Sequence, residues 1–554
     1  MNSNFWNEIV KKLASGNYSK DEIARIKRRI CKKYNVKNIP TDIEIFLHAD
    51  KNSTILLKKQ LRTKPARSLS GVAVCAIMSS PFRCPHGECL MCPSKTSEGV
   101  PQSYTGKEPA AMRGIRNRFD PYLQVMNRLE QYIATGHMPH KVELIIMGGT
   151  FPSFSESYQE MFVMYALKAM NDFSKLFFRR SFDIQKFKDF FELPGDIGSP
   201  KRTLKIHAKL LKLKGISTLE KEQLKNEKSH IRCIGLTVET RPDYARLSNL
   251  NLLLKLGCTR VELGVQSLYD NVLKEIRRGH DVSESIRATR QLKDLGFKIN
   301  YHMMLGLPKS TQQMDLAMFK QLFTDSRFRP DMLKIYPCMV VKESGLYEVW
   351  KKGMFTPLTT QKAACLIASI KKIVPVYCRI MRVQRDIPTN ATIAGVDRTN
   401  LRQYVQKIMK EQGAKCRCIR CREVGRRKQH GAVFIKALEY TASEGLEFFI
   451  SAEDLAGSLY GFCRLRFPSQ SLRKEIGSRT ALIRELHVYG ETVPFGEKGD
   501  VQHSGIGKGL LYTAEKIAHS FCMGKMVVIS GIGAREYYRK LGYRREGPYM
   551  IKSL

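Results

Sequence analysis

Six apolar runs between residues 71 and 341 constrain the fold of this chain more than any other feature of its sequence. They read GVAVCAIMSS, KVELIIMGGT, IRCIGLTVET, TRVELGVQS, KINYHMMLGLP and MLKIYPCMVV. Each run is almost continuously apolar, and segments of helical periodicity separate them, which is typical of parallel strands buried on both faces. We therefore predict an α/β fold in which six strand–helix units form a partial barrel, with an open sheet as the alternative.

The rest of the chain differs in character from this central part, and 554 residues are too many for one core. We predict a basic N-terminal region over 1–70 and the barrel domain over 71–335, with a Lys-rich insert at about 173–230. A cysteine-bearing connector follows over 336–432, and a second, smaller α/β domain occupies 433–554.

The charge of the chain predicts a polyanionic partner. Lys and Arg number 93 against 52 Asp and Glu, a net charge of +41, which solubility alone does not require. Nucleic acid is favoured over a membrane surface, because no apolar run approaches 18 residues and the N-terminus lacks the apolar core of a signal peptide. We therefore expect a cytoplasmic protein. The N-terminal helix that carries Ile23, Ile26 and Ile30 has a basic opposite face, which is either a nucleic-acid contact or a solvated surface.

Three cysteines fall within nine residues, CPHGECLMC, directly after the first apolar run. The total of 15 cysteines is odd, which argues against a disulfide framework. Three thiolates on one loop can bind three irons of a four-iron cluster and leave the fourth iron open. A closed zinc site would need a fourth ligand, for which His86 is the nearby residue. The spacing alone leaves both interpretations open.

The ends of the later strands favour the iron–sulfur cluster. The second run ends in MGGT, and the others end in the polar or glycine-containing segments VETR, GVQS and LGLP. Ligands bind at this end of the strands in α/β barrels. The combination resembles the radical S-adenosylmethionine (SAM) superfamily. Four residues separate the first two cysteines where three are usual, and Thr150 stands where Glu is frequent.

These departures match one branch of the superfamily. The segments RTKPARSLSGVAV, CPHGECLMCP, QSYTGKEPAAMRGIRNRFDPY, LTVETRPD and ELGVQS resemble the family of the catalytic subunit of Elongator, the transfer-RNA carboxymethyluridine synthase. The resemblance implies that Cys84, Cys89 and Cys92 ligate a [4Fe-4S] cluster. It also implies SAM contacts by five residues at the strand ends: Gly148, Gly149, Thr150, Glu239 and Gln266.

A glycine-rich loop in the last region, QHSGIG, fits the pattern Q-x-x-G-x-G. Glycines there let backbone N–H groups approach a pyrophosphate at the start of a helix. With the strand LIRELHVYG before it and KMVVISG and AREYYRKLGY after it, the segment resembles the GNAT acetyltransferase fold, in which acetyl-coenzyme A (acetyl-CoA) lies between two splayed strands.

The GNAT and Elongator resemblances together imply a second set of cofactor-binding residues. Backbone contacts to the pantetheine would come from Glu485, Leu486, His487 and Val488. The pyrophosphate loop would comprise Gln502, Gly505, Ile506, Gly507 and Lys508. Tyr537 would approach the thioester sulfur as a catalytic residue, or else cap the core together with Tyr538. Lys141, at the start of the second barrel strand, is a further acetyl-CoA contact that the family suggests; otherwise it is a surface lysine.

A second cysteine group, Cys416, Cys418 and Cys421, has the spacing CxCxxC in a basic connector. Such a segment buries little apolar area, so a structural zinc ion would stabilise it where packing cannot, and free thiols are the alternative. The family arrangement implies Cys338 as the fourth ligand, with His430 in reserve.

The resemblance implies one reaction that uses both centres. A 5′-deoxyadenosyl radical takes hydrogen from the acetyl methyl group of acetyl-CoA, the resulting acetyl radical adds to carbon-5 of the wobble uridine of tRNA, and thioester hydrolysis leaves a carboxymethyl group. An electron donor is required, and a homodimer or accessory subunits are compatible with the family. Two other hypotheses remain: a protein lysine acetyltransferase whose iron–sulfur cluster is structural, and a non-catalytic RNA-binding scaffold.

Overall fold

The computed structural model describes residues 3–63, 71–93, 96–426, 431–490 and 505–554. Four N-terminal helices pack around their own apolar core, in which Phe5 and Ile9 meet Ile23 and Ile30. They are α1 (Ser3–Ala14), α2 (Lys20–Lys33), α3 (Asp42–His48) and α4 (Lys51–Gln60). Capping boxes begin both α2 and α3, so the local sequence determines where these helices start.

A parallel sheet forms the centre of the molecule. Its first six strands are the six predicted runs, in chain order: β1 (Ala73–Met78), β2 (Lys141–Met147), β3 (Arg232–Thr240), β4 (Arg260–Gln266), β5 (Lys298–Leu305) and β6 (Met332–Pro337). Each strand pairs in parallel with the next one along the chain. All carboxyl ends therefore lie at one edge of the sheet, which is the architecture expected of the predicted partial barrel.

Helices cover the outer face of this sheet. Those before β3 are α5 (Pro109–Arg116), α6 (Pro121–Ala134), α7 (Glu156–Phe177), α8 (Ile184–Phe190), α9 (Pro200–Lys214) and α10 (Leu219–Asn226). Those between β3 and β6 are α11 (Leu247–Leu256), α12 (Asp270–Glu275), α13 (Val282–Asp294) and α14 (Gln312–Thr324). No helix among the described residues is both long enough and apolar enough to cross a membrane.

The connector adds a seventh strand that the apolar pattern did not predict. Its elements are β7 (Val340–Val341), α15 (Gly345–Lys351), α16 (Thr360–Ile373), β8 (Arg379–Arg382), β9 (Thr392–Ala394), α17 (Leu401–Glu411) and α18 (Ile419–Arg422). β8 pairs in parallel with β6 and extends the barrel sheet by one strand. Its sequence, RIMR, is too short and too charged to stand out as a strand.

The C-terminal region forms a second, mixed sheet. Its strands are β10 (Phe434–Ala442), β11 (Gly445–Glu453), β12 (Leu459–Phe467), β13 (Thr480–Val488), β14 (Lys525–Val528), β15 (Arg544–Glu546) and β16 (Tyr549–Ser553). Two helices accompany them, α19 (Ile506–Ser520) and α20 (Arg535–Arg539). The sheet order is β10-β11-β12-β13-β14-β16-β15, and β13 and β14 are its parallel pair.

The two sheets meet at closely apposed backbones. A Cβ atom placed on Gly531 would lie 2.0 Å from the Ile234 carbonyl oxygen in β3, and one on Gly533 would lie 2.4 Å from the Cβ of Arg232. Side chains larger than hydrogen do not fit at either position. The C-terminal region therefore rests directly on β3 of the barrel.

Candidate active site

A cavity opens at the carboxyl edge of the barrel sheet, beneath the loop CPHGECLMC. Its empty volume is about 1040 Å³, part of which is open solvent. Its lining includes all three loop cysteines and polar residues from several strand ends: Cys84, Cys89, Cys92, Gly149, Thr150, Glu239, Gln266 and Arg278. Seven of these eight residues were predicted from the sequence as ligands of the cluster or of SAM.

Donor groups surround the cysteine sulfurs. The Sγ of Cys89 lies 3.2 Å from His86 Nε2 and accepts a hydrogen bond of 3.4 Å from Arg278 Nη1. The Sγ of Cys92 lies 3.2 Å from the Ser103 hydroxyl. Burial raises the pKa of the Cys92 thiol to about 11, so a metal that binds there must displace a proton.

The separation of the three sulfurs distinguishes the two metal interpretations. Cys84, Cys89 and Cys92 do not form a group whose sulfur atoms all lie within 4.8 Å of one another, whereas other cysteines in the described part of the chain do. Ligands of a single zinc ion sit about 2.3 Å from the metal and hence close together. Three sulfurs that are further apart and share one cavity fit a multinuclear cluster better than one ion.

The glycine pair after β2 lies against the cysteine loop. Gly148 and Gly149 have φ values of +122° and +105°, which favour glycine. A Cβ on Gly149 would be 3.9 Å from Cys84 Sγ, and one on Gly148 would clash with the Ser79 hydroxyl at 2.3 Å. The bare backbone after β2 therefore borders the loop, where it could approach a ligand.

Three linked titratable residues are among those in the cavity that were not predicted from the sequence: Glu262, His302 and Lys334. The carboxylate of Glu262 bonds to the Lys334 ammonium and, at 2.8 Å, to His302 Nε2. Lys334 also donates to the predicted SAM contact Glu239 over 3.4 Å. Burial alone would raise the pKa of Glu262, but the Lys334 ammonium holds it well below its usual range. The strands that contain these three residues have the apolar pattern of ordinary buried strands. The signal in the sequence that could have identified them was a polar residue in the middle of each strand.

The C-terminal sheet contains a cleft where β13 leaves β14. The two strands pair only from Thr480 to Ile483, although β13 continues to Val488. α19 begins at this opening, behind Gly505 with a φ of +90°. The N-terminal end of a helix attracts anions because its first N–H groups lack partners within the helix. The described residues of the predicted acyl-CoA set thus lie on one side of the cleft or at the start of the helix. They are Glu485, Leu486, His487, Val488, Gly505, Ile506, Gly507 and Lys508.

Tyr537 approaches the same cleft from α20. A Cβ on Gly507 would lie 3.0 Å from the Tyr537 hydroxyl and 3.5 Å from a Val488 methyl group, so the three residues are neighbours. Burial raises the pKa of Tyr537 to about 12, which keeps its hydroxyl protonated and able to donate. Gln502, the remaining predicted loop residue, lies outside the described residues.

Lys141 lies at the amino end of β2, far from the cysteine loop. It pairs in register with Arg232 of β3, the residue that meets Gly533 of the C-terminal region. Burial lowers the pKa of Lys141 to about 8. Lys141 is therefore a buried lysine at the barrel end that contacts the C-terminal region, not the freely solvated surface lysine of the alternative interpretation.

The second cysteine group is compact. The sulfurs of Cys416, Cys418 and Cys421 all lie within 4.8 Å of one another, as the ligands of one zinc ion would. Lys371 Nζ donates to Cys421 Sγ over 3.5 Å. The Ile419 N–H donates to the Cys378 carbonyl over 3.0 Å, which places the group beside the amino end of β8.

The prediction that Cys338 completes this group is wrong. Cys338 follows β6 at its carboxyl end and packs in an apolar cluster with Cys89 and Leu90 of the first loop. Arg379 of β8 is in register with Met332, six residues earlier in β6, so about 20 Å of strand separates the two ends. The reserve ligand, His430, lies outside the described residues.

Comparison with known proteins agrees with this architecture. Residues 78–322 match the Radical SAM superfamily, residues 330–411 match the Radical_SAM C-terminal domain, and residues 3–69 match the ELP3 N-terminal domain. The parallel barrel with its cysteine-lined cavity is thus a radical SAM domain.

Full-length relatives narrow the assignment further. The tRNA uridine(34) acetyltransferase of Methanocaldococcus infernus is 43% identical over 99% of this chain and 98% of its own. Mouse Elongator complex protein 3 is 38% identical over 99% of this chain and 96% of its own. The solved structure of archaeal Methanocaldococcus infernus Elp3 with an N-terminal deletion has a TM-score of 0.72 and 40% identity, covering 88% of this chain and 100% of that one. The chain belongs to the Elongator complex protein 3 (Elp3) family.

Proposed function

We propose that this protein is a radical SAM enzyme that builds a carboxymethyl group on carbon-5 of the wobble uridine of tRNA. Similarity to the tRNA uridine(34) acetyltransferases supports the tRNA substrate and the acetyl donor. The observation that carries the proposal is the shared cavity of Cys84, Cys89, Cys92 and Gly149, because it fits a cluster with one open iron. When bound, a [4Fe-4S] cluster and SAM would supply a 5′-deoxyadenosyl radical able to take hydrogen from the acetyl methyl group.

Residues of the barrel would bind and orient these groups. The three thiolates would hold the cluster, and Arg278, which donates to Cys89, would stabilise the negative charge of its thiolate. The backbone at Gly148 and Gly149, with Thr150, would accept hydrogen bonds from the amino group of the methionine moiety. Glu239 and Gln266 would bind the remainder of SAM, and Lys334 fixes the position of the Glu239 carboxylate.

The C-terminal cleft would bind acetyl-CoA. The pantetheine would lie along Glu485 to Val488, which pair with β12 and extend beyond the last β13–β14 pair. The start of α19, from Ile506 to Lys508, would bind the pyrophosphate. Tyr537 would donate its hydroxyl proton toward the thioester, and Lys141 would contribute a positive charge from the barrel. After carbon–carbon bond formation, the ring would lose the carbon-5 proton and one electron, which the electron-transfer partner would accept. Hydrolysis of the thioester by water would then leave the carboxymethyl group and release coenzyme A.

The remaining proposed partners follow from charge. Residues 1–70 hold 16 Lys and Arg against six Asp and Glu, a difference of +10, and would contact tRNA phosphates, as would the Lys-rich insert. A structural zinc at Cys416, Cys418 and Cys421 would secure the connector. An electron donor is required, and the similarity to Elongator complex protein 3 is compatible with accessory subunits.

The decisive experiment compares tRNA nucleosides by mass spectrometry in cells whose only copy of the gene carries Cys92→Ser or Tyr537→Phe. We expect carboxymethyl-type uridine to disappear with the first variant and to fall steeply with the second. A lysine acetyltransferase with a structural cluster would instead acetylate protein amines without SAM and leave the uridine unchanged. Persistence of the modified nucleoside in the Cys92→Ser cells would disprove the proposal.

A further inference from the structure

Arg484 occupies the point at which the C-terminal cleft opens. In the pairing of β12 with β13, Arg464 lies opposite Glu485 and Leu465 lies opposite Ile483, so Arg484 is an extra residue, a β-bulge. The pairing of β13 with β14 ends at the residue before it. Bulges bend a strand and redirect its side chains. The separation of β13 from β14 therefore begins where this one residue interrupts the strand.

The barrel domain holds the side chain of this bulge residue. Both guanidinium ends of Arg484 bond to the Asp331 carboxylate, at 2.9 and 2.5 Å, and Nη1 also donates to the Phe297 carbonyl over 2.7 Å. Asp331 immediately precedes β6, and Phe297 immediately precedes β5. A third group, Glu447 of β11, accepts from Nη2 over 2.9 Å. The Arg484, Asp331 and Glu447 side chains are all completely buried.

The carboxylate that binds Arg484 is itself fixed by the barrel. Asp331 Oδ2 accepts a hydrogen bond of 2.8 Å from the Ile299 backbone N–H in β5. Arg464 donates to the Asp331 and Tyr377 carbonyls over 3.4 and 2.7 Å, and it also binds Glu485, the first residue beyond the bulge, over 2.9 Å. A planar, bidentate arginine pair of this kind fixes geometry as well as charge. The segment of β13 that would bind acetyl-CoA begins at Glu485, and its start is thus bonded to residues at the amino ends of β5 and β6.

We propose that Arg484 is a positioning residue through which the radical SAM barrel keeps the C-terminal cleft in the shape that binds acetyl-CoA. The inference rests on the proposed acetyl-CoA site. It adds that the shape of this cleft is set partly by Asp331 of the other domain, because Asp331 holds the bulge residue that separates the part of β13 paired with β14 from the part that extends beyond it. The C-terminal sheet without the barrel would lose this contact.

A lysine substitution tests the geometry while it keeps the charge. In the full-length protein, we expect Arg484→Lys to weaken acetyl-CoA binding about tenfold by isothermal titration, since a lysine cannot make the bidentate pair. The KM for acetyl-CoA should rise with little change in kcat, and 5′-deoxyadenosine formation from SAM should be unchanged. Asp331→Asn, which keeps the shape of the side chain, should weaken binding in the same direction.

Arg466→Lys is the matched control. Arg466 is equally buried in the same interface and bonds to Asp294 and Glu447 at 2.5 and 3.0 Å, but it lies opposite Leu482, ahead of the bulge. It should lower the melting temperature as Arg484→Lys does, yet leave acetyl-CoA affinity within about twofold.

Equal loss of affinity in the two arginine variants, or unchanged affinity in Arg484→Lys, would overturn the inference. If Arg484→Lys does not fold, Asp331→Asn decides it by the same comparison with Arg466→Lys. An unmodified protein that cleaves SAM but does not bind acetyl-CoA would refute the proposed C-terminal centre, and the inference with it. This outcome can be distinguished from a failure of the inference alone, because it would be observed in the unmodified protein.

Discussion

The two ends of the barrel each carry three clustered cysteines, but they are constructed in opposite ways. At the carboxyl end, Cys84, Cys89 and Cys92 border a solvent-connected cavity with neutralising donors such as Arg278. At the amino end, Cys416, Cys418 and Cys421 converge within 4.8 Å beside β8, near an interface of fully buried ion pairs. Spread sulfurs around open space suit a reactive cluster, and convergent sulfurs suit a structural ion. Under the proposed assignments, cysteines would hold a catalytic cluster at one end of the barrel and a structural metal ion at the other.

The largest expected effect comes from disrupting the carboxyl end. Cys89→Ser should abolish iron binding and 5′-deoxyadenosine formation, because a cluster held by three thiolates loses a third of its protein ligands. The melting temperature of the metal-free protein should change by only a few degrees. Anaerobic iron analysis, cleavage assays and thermal denaturation measure these quantities. Cys365→Ser, at an exposed cysteine, is the control. Full iron content in Cys89→Ser would remove the distinction between the two ends.

Disrupting the amino end should give the converse result. Cys418→Ser should eliminate bound zinc and lower the melting temperature by at least several degrees, because an ion held by all three cysteines would cross-link this short segment. Iron content and SAM cleavage should be retained below the new melting temperature. Zinc analysis alongside calorimetry tests this, with Cys522→Ser as the exposed control. If SAM cleavage vanished in a folded, iron-loaded variant, the two ends would not be functionally separate.

A smaller, pH-dependent effect is expected at Lys141. Its pKa of about 8 leaves the side chain charged below pH 8 and neutral above, so acetyl-CoA binding should weaken up to about tenfold between pH 7 and pH 9. Lys141→Met should bind weakly and without this dependence.

The same group affects folding with a defined sign. The native pKa lies below the ordinary 10.5, so between pH 8 and 10.5 the unfolded chain binds more protons and stability rises with pH. Lys141→Met should lose that slope in denaturant titrations. Identical pH profiles for acetyl-CoA binding in the variant and the unmodified protein would show that Lys141 is not a contact.

The smallest effect is expected at Cys338, and it tests whether the two cysteine groups are separate. Cys338→Ser should leave zinc content unchanged, because Cys338 packs at the carboxyl end with the first cysteine loop. Loss of zinc in this variant, by the same metal analysis, would mean that the connector reaches the other end of the barrel.

The six barrel strands were predictable because buried parallel strands are apolar along their whole length, independent of distant partners. β12 was not, since its buried residues include Arg464 and Arg466, whose carboxylate partners include Asp331 and Asp294, more than a hundred residues earlier in the barrel. Periodicity cannot reveal that an arginine is neutralised by Asp294 or Asp331. The same limit applies to Lys334 and Glu262, which are charged residues inside apolar strands.

The spacing of the motifs predicted most residues of the candidate sites, but not which residue would complete the second cysteine group. The loop cysteines, Gly149 and Glu239 do line one cavity, because consecutive parallel strands bring their ends together. The prediction that Cys338 completes the second cysteine group was wrong because the sequence does not show at which end of a strand a later segment packs. The three residues Cys416, Cys418 and Cys421 are close together in the sequence, so their spacing alone predicted that they would form a group.

The contact of Gly531 and Gly533 with β3 has a consequence for how the acyl group travels. Gly531 lies directly against the main chain of β3 and Gly533 against the Cβ of Arg232, so the C-terminal region cannot rotate relative to the barrel without breaking these contacts. If the proposed reaction is correct, transfer of the acetyl group between the two sites would depend on the length and mobility of acetyl-CoA and of the tRNA. The protein would hold the two sites at a fixed separation.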